Sequence, residues 1–324
     1  MTTTIEAAGA AAGSGPPAPP SASATRTRGA LWRRLRKDKA AATGMAIITV
    51  MVLVAVFAPV LTALEGQNTT SLHPELVDSA SGGTPLGSLG GVSGSHWLGV
   101  EPQTGRDLFA RLVYGARISL GVALGATALQ VLIGVSVGIA AGLGGRGVDA
   151  VLSRLTDLAL AFPQVLFAVA LMAIVPDSVP RPLILAVVIA LLGWGGTARL
   201  ARGQALSLRT RDFVAAAKLS GAPPLRVARR EILPGLVTPV LTYASLLVPT
   251  NMVAEAGLSF LGVGVRPPTP SWGQMLSAGT TWFRPDVMYV VVPGGALFLT
   301  LLAFTLLADG VRRTLDPRNT EVAP

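Results

Sequence analysis

A chain of 324 residues that is 51% hydrophobic and only 13% charged, with a mean hydropathy of +0.58, is not a soluble domain, in which about 25% of residues carry charge. It has no cysteine, which excludes disulfides, thiolate nucleophiles and Cys-based metal sites. The net charge of +9 would suit nucleic acid, but its placement along the chain argues for membrane topology instead.

Residues 1–30 are Ala, Pro, Gly, Ser and Thr with few apolar anchors, and read as a disordered cytoplasmic tail. The basic cluster Arg33, Arg34, Arg36, Lys37 and Lys39 then precedes the apolar run Gly44–Leu64. That run is too long and too far along the chain for a signal peptide, so residues 31–64 read as a basic segment and a first span. Ile118–Leu143, Leu158–Val175, Pro182–Ala198, Leu236–Ala254 and Val287–Ala308 follow, each about the 17–25 residues that cross a bilayer. Lipid offers no partner to open backbone groups, so the spans must be helical. They are too evenly apolar for barrel strands. The expected fold is all-α, with six transmembrane helices.

With a cytoplasmic N-terminus, seven Lys or Arg precede the first span and two follow the second. Eight lie between Arg199 and Glu231, three follow the last span, and six face outside. This asymmetry places both termini and the 199–235 loop on the cytoplasmic side of the membrane. It accounts for the basic balance through contact with anionic lipid, without nucleic acid.

Residues 65–117 form an external segment rich in Gly and Ser, in which His73 and His96 read as solvated loop residues rather than metal ligands. Its end, HWLGVEPQTGRDLFARLVYGARISL, is amphipathic, and Leu108, Leu112 and Ile118 suggest a helix feeding the second span. That span carries Gly121, Gly125, Gly134 and Gly138. The last two form a GxxxG-like pair that allows close helix approach. After a turn at Gly144–Val151, Pro163 should kink the third span, and Arg154 with Asp157 reads as a pair at its inner end.

The fifth span ends in NMVAEAGLSFLGVGVRPPTPSWG. Glu255 is an ionisable residue at membrane depth and so a functional candidate. With Ser259 one turn on, it is assigned to a translocation pathway or outer gate; the alternative is a side chain that snorkels to the outer surface. Pro267, Pro268 and Pro270 bar a regular helix, and Trp272 and Trp282 suit headgroup anchors. Asp309 is expected to pair with Arg312 or Arg313.

Arg211–Gly235, RDFVAAAKLSGAPPLRVARREILPG, is a structured loop between two spans. Ala215, Ala216, Ala217 and Lys218 favour helix, and Phe213, Ala216, Ala217 and Ser220 share one small-to-apolar stripe. Gly221 can take the left-handed conformation that ends a helix, and Pro223 blocks continuation. Leu225–Leu233 should form a second short helix, broken by Pro234 before span five. Such an elbow presents one exposed helix at the membrane surface. No GxxxxGK[ST] phosphate loop, Ser/His/Asp set or HExxH motif occurs in the chain, so energy for any work comes from another chain or an ion gradient.

The loop resembles that of ABC importer inner-membrane permeases, whose pattern is EAA, then Gly four residues after the second Ala, then Ile-x-Leu-Pro. Here Ala215, Ala216 and Ala217 take the EAA positions, Gly221 the glycine, and Ile232, Leu233 and Pro234 close the pattern. The family glutamate is replaced by Ala215, with Asp212 one turn earlier. The resemblance runs from Trp32 to Arg318 and is strongest to the second permease of dipeptide and oligopeptide importers. LTDLALAFPQVL, ARLARGQALSLRTRDFVAAA, AEAGLSFLGVGVRPPTPSWGQML and LLADGVRRTLDPR carry it beside the loop.

The resemblance implies the type I ABC importer fold, with a permease core at 118–310, a coupling loop at 199–235 and a cytoplasmic tail at 311–324. It also implies a homologous second permease, two ATPase subunits that hold ATP and Mg, and an extracytoplasmic substrate-binding protein. The implied cargo is peptides or related solutes; this branch also has relatives that carry nickel, heme or sugars. This chain would hold no cofactor of its own and would not be an enzyme. The implied coupling residues are Arg211, Asp212, Phe213, Ala215, Ala216, Ala217, Gly221, Ile232, Leu233 and Pro234. The alternative reading is an ion-coupled secondary transporter, which would require inverted repeats and several mid-membrane acids, whereas only Asp157 and Glu255 are available.

Overall fold

A computed structural model describes residues 35, 37–176 and 178–315. Among them, regular structure is helical apart from a hairpin of two short strands, β1 (Val77–Asp78) and β2 (Thr84–Pro85), in the external segment. The expected tail at 1–30 lies outside the described residues.

Helix α1 (Lys39–Val56) starts earlier than the apolar run because the Asp38 side chain accepts from the amides of Ala40 and Ala41. It stops at Phe57, ahead of Pro59, and a separate short helix α2 (Ala58–Glu65) follows. The first span is therefore broken rather than continuous to Leu64.

Helix α3 (Leu108–Leu143) runs unbroken from the amphipathic lead into the second span, capped by Asp107, whose Oδ1 accepts from Ala110 N at 2.6 Å. The expected third span is not one kinked helix. Gly145–Ala161 (α4) and Gln164–Ile174 (α5) meet at 86° around Phe162 and Pro163, since proline cannot continue the hydrogen-bond ladder. Helices α6 (Arg181–Leu208), α7 (Asp212–Leu219) and α8 (Pro224–Val227) follow. A π-helical segment (Ala228–Ile232) then leads into α9 (Leu233–Phe260), α10 (Trp272–Gly279) and α11 (Met288–Leu315). Five helical stretches among the described residues can cross a membrane, and the bent α4–α5 pair makes a sixth if it counts as one span.

Small residues set the packing of α3 on α6. A Cβ on Gly134 would lie 2.5 Å from Thr197 Cβ, and one on Gly138 would lie 2.6 Å from Ala198 O and from Ala201 Cβ. This is the close approach that replaces hydrophobic drive in lipid. Gly44 does the same for α1 against Ala303 of α11.

Several polar side chains pair differently from expectation. Asp157 bonds Arg199 of α6 at 2.9 Å rather than Arg154. Arg313 bonds Asp38 at 2.8 Å rather than Asp309, tying the last helix to the cap of the first. In both cases a partner across the helix interface replaces one on the same helix. Trp272 is buried, not a headgroup anchor, and its Nε1 donates to Leu112 O at 3.1 Å. His96 is also buried rather than solvated. Its Nδ1 lies 2.7 Å from Asp107 Oδ2, and its ring meets that of His73 edge-on at 5.1 Å.

Candidate functional site

The loop between α6 and α9 is built on its own apolar floor. Val214, Val227, Ile232 and Leu236 are buried together with Ala205 and Val240, and Ile139, Leu143, Leu208 and Ala222 pack beside them. Arg209 Nη1 donates to Gly142 O at 2.9 Å, fixing the end of α6 to the end of α3. The tip is thus attached to three membrane helices.

Helix α7 ends as its sequence dictates. Gly221 has φ +76°, a conformation that L side chains adopt at a cost of about 1–2 kcal/mol. Its amide reaches Lys218 O at 3.0 Å, and Ala222 N reaches Ala217 O at 3.1 Å, so the last carbonyls of α7 are satisfied. Pro223 and Pro224 then open α8.

The expected stop at Pro234 does not occur. Residues Pro224–Phe260 form one continuous helical stretch. Between Ala228 and Ile232 the helix widens to π form, with Leu233 N bonded to Ala228 O. A widened turn relieves the clash between a proline ring and the carbonyl four residues back. The second arm of the elbow is therefore an extension of α9 itself.

The residues that the resemblance assigns to coupling divide by exposure. Arg211, Asp212, Phe213, Ala215 and Ala216 are exposed, and Ala217 is half-buried. Leu219 is 90% exposed, an unusual position for leucine beyond the apolar stretch. Ile232 is buried in the floor, whereas Leu233 and Pro234 face outward. Val214 is the buried anchor of α7. The stripe traced through Phe213, Ala216, Ala217 and Ser220 missed it. Its signal was a lone β-branched residue among alanines.

The second pair of candidates lies at the other end of α9. Glu255 and Ser259 are both buried. Ser259 Oγ donates to Glu255 Oε1 at 2.9 Å and accepts from Val265 N at 3.1 Å. The two side chains thus bind the non-helical turn back onto the helix, and Glu255 does not snorkel. A cavity of about 360 Å³ beside them is lined instead by Gln130, Gln164, Asn251, Ala254, Gly257 and neighbouring apolar residues.

A clamp centred on Arg111 went unnoticed in the sequence. Arg111 is fully buried and pairs with Glu101, which also accepts from Tyr289 OH at 3.0 Å. Arg111 further donates to Gln274 Oε1 at 2.8 Å and Pro268 O at 3.0 Å. One guanidinium thus joins the external segment, α3 and the turn before α10, and its partner Glu101 adds α11. Its five fixed donors suit it to that task.

A bundle of apolar helices with an exposed elbow between two of them has counterparts in known proteins. The binding-protein-dependent transport system inner membrane component family matches residues 134–321. This chain belongs to that family. The N-terminal transmembrane domain of oligopeptide transport permease C matches residues 27–74 as well.

The permease is 36% identical over 287 residues to the dipeptide transport system permease protein DppC of Alkalihalophilus pseudofirmus, covering 89% of this chain and 88% of that one. It is 32% identical over 292 residues to the oligopeptide transport system permease protein OppC of Bacillus subtilis, covering 89% and 90%. The glutathione transport system permease protein GsiD of Escherichia coli is 33% identical over 287 residues, covering 89% of each chain. The family region contains the Gly134–Gly138 contact, the elbow and α9. The permease is a multi-pass membrane transport subunit.

Proposed function

We propose that this permease forms half of a translocation pathway for peptides or related solutes in an ATP-driven importer. A homologous second permease supplies the other half. Two ABC ATPase subunits bind ATP and Mg and sit below, and an extracytoplasmic substrate-binding protein delivers cargo. The N-terminal basic segment and the tail from residue 311 lie on the cytoplasmic side with the elbow, against anionic lipid. The cargo class is supported by the dipeptide, oligopeptide and glutathione permeases the chain is similar to.

The observation that carries this reading is the exposed helix α7, held by Val214 and Gly221 on an arm continuous with α9. Arg211, Asp212, Phe213, Ala215, Ala216 and Ala217 form the docking face for an ATPase. Ile232, Leu233 and Pro234 carry its displacement into the membrane. ATP-driven closure of the ATPases moves the two docked elbows, and the pathway alternates between inward-open and outward-open states. Coupling is reciprocal in binding free energy, so cargo delivery outside changes nucleotide affinity inside. Glu255 and Ser259 act at the outer end of the same helix by holding the turn that borders the outer gate.

The test is uptake by proteoliposomes containing the assembled transporter. Gly221→Pro removes both the left-handed conformation and the amide bonded to Lys218 O. Uptake should fall to background while the permease remains membrane-inserted. Uptake at the wild-type rate would end the docking role.

A further inference from the structure

Outside the membrane bundle, the coil Gly87–Gly91 packs against the turn that precedes α11. Gly87, Leu89, Gly90 and Gly91 all hold positive φ, at 94°, 53°, 75° and 79°. The glycines hold this conformation without strain, but Leu89 does not, and strained backbone of this kind gathers at ligand clamps. Together with Pro285–Met288 the coil encloses a pocket of about 220 Å³.

Asp286 forms part of the pocket wall and is only 5% exposed. Its Oδ1 accepts from Met288 N at 3.1 Å. Its Oδ2 is buried without a hydrogen-bond partner among the described residues. Gly90 lies so close that a Cβ there would sit 3.1 Å from either oxygen. Burial pushes the carboxyl above its ordinary range, against the pull of the amides of Tyr289 and Met288. A carboxylate oxygen held out of water with no donor is costly, and a cation removes the cost. The chain's own neighbouring cation does not serve, because Arg284 lies over the ring of Phe283 at 5.8 Å. Pro85, Leu89, Pro285 and Val287 contribute apolar side chains to the wall, which Gly87, Gly90 and Met288 complete.

We propose that this pocket receives a lysine side chain of the extracytoplasmic binding protein, with its ammonium on Asp286 Oδ2 and its alkyl stem along Pro85, Leu89 and Val287. This rests on the reading that such a protein serves the permease. Lysine fits better than arginine because one carboxylate oxygen is already engaged. A point charge on an apolar stem needs only the other, whereas a guanidinium fork seeks both. A protein side chain fits better than the amino terminus of a cargo, because the lining comes from residues 85–90, the turn before α11 and the first residue of α11, at the end of the bundle rather than within it.

The experiment measures affinity of the cognate binding protein for the assembled transporter in lipid nanodiscs. Asp286→Asn keeps the Oδ1 acceptor and so the cap on α11, but removes the charge. Leu89→Arg, at a 61% exposed position, puts a cation of the chain's own into the pocket. Each should weaken binding at least about tenfold, chiefly through faster dissociation, and added salt should weaken wild type more than Asp286→Asn. Equal affinity across the three proteins overturns the pocket. An effect seen only with cargo-loaded binding protein overturns the lysine. No binding by wild type overturns the importer reading and the pocket with it.

Discussion

Gln130 of α3 and Asn251 of α9 exchange two hydrogen bonds inside the bundle. Gln130 Nε2 donates to Asn251 Oδ1 at 3.1 Å, and Asn251 Nδ2 donates to Gln130 Oε1 at 2.8 Å. The remaining amide protons are also placed, on Ile189 O of α6 at 3.1 Å and Thr127 Oγ1 at 2.8 Å. Three membrane helices therefore share one satisfied polar knot, and one of them, α9, continues into the elbow.

Asn251→Leu should therefore destabilise the permease by about 1–2 kcal/mol, because it leaves the buried Gln130 amide short of partners. Replacing both residues by Leu should cost less than the two single changes added together, since neither polar group is then stranded. Unfolding followed in detergent reads both values. Strict additivity would mean that the two amides do not act as a unit.

Gly138 and Gly121 offer a matched comparison on α3. Gly138→Ala forces a methyl group into Ala198 and Ala201 and should cost about 1–3 kcal/mol. Gly121 has nothing within 4 Å of an added Cβ, so Gly121→Ala should be neutral or stabilise by up to about 1 kcal/mol. Thermal unfolding of the two variants in the same detergent separates them, and equal losses would contradict the close packing of α3 on α6.

These two contacts differ in how far the sequence announced them. The Gly134–Gly138 spacing named its own role, because small residues four apart in an apolar helix have few other uses. The Gln130–Asn251 knot had no local signal; it needs α3 and α9 brought together, 121 residues apart. Ion pairs failed for the same reason. Asp157 and Asp309 each had a basic residue within one turn, and in neither case does that neighbour turn out to be the pairing that forms, since Arg199 takes Asp157 and Asp38 takes Arg313. Local chemistry did place Gly221, whose left-handed turn ends α7 as expected. It misjudged Pro234, because a π-helical turn lets a proline stand where a regular helix would break.

Glu65 gives the segment 65–117 a pH dependence. It accepts from Trp97 N at 2.8 Å. Burial and the neighbouring Asp107 push its carboxyl from 4.5 up to about 7, although the Trp97 amide opposes them. The folded state thus binds this proton more tightly than the unfolded chain does. Its stabilising effect is complete below about 4.5 and is lost as pH rises through about 7. Unfolding midpoints at pH 5 and pH 8 should differ more for wild type than for Glu65→Gln, a comparison in which the contributions of all other groups cancel. An identical difference in the two proteins would remove Glu65 from the effect.

Leu219 and Val214 separate docking from folding on the same short helix. Val214 is fully buried in the floor of the elbow, whereas Leu219 is 90% exposed. Val214→Ala should lower stability by about 0.5–3 kcal/mol through lost burial. Leu219→Asp touches nothing inside the permease, so its unfolding midpoint should match wild type. If α7 is the docking helix, that same change places a desolvated charge in the ATPase groove, and truncation or mismatch at the centre of an interface costs about 2 kcal/mol or more. ATPase subunits should then co-purify poorly with Leu219→Asp and normally with Phe109→Leu, a change at the opposite end of α3 from the elbow. Retention of the ATPases by Leu219→Asp at wild-type yield would leave the exposed face of α7 without a partner.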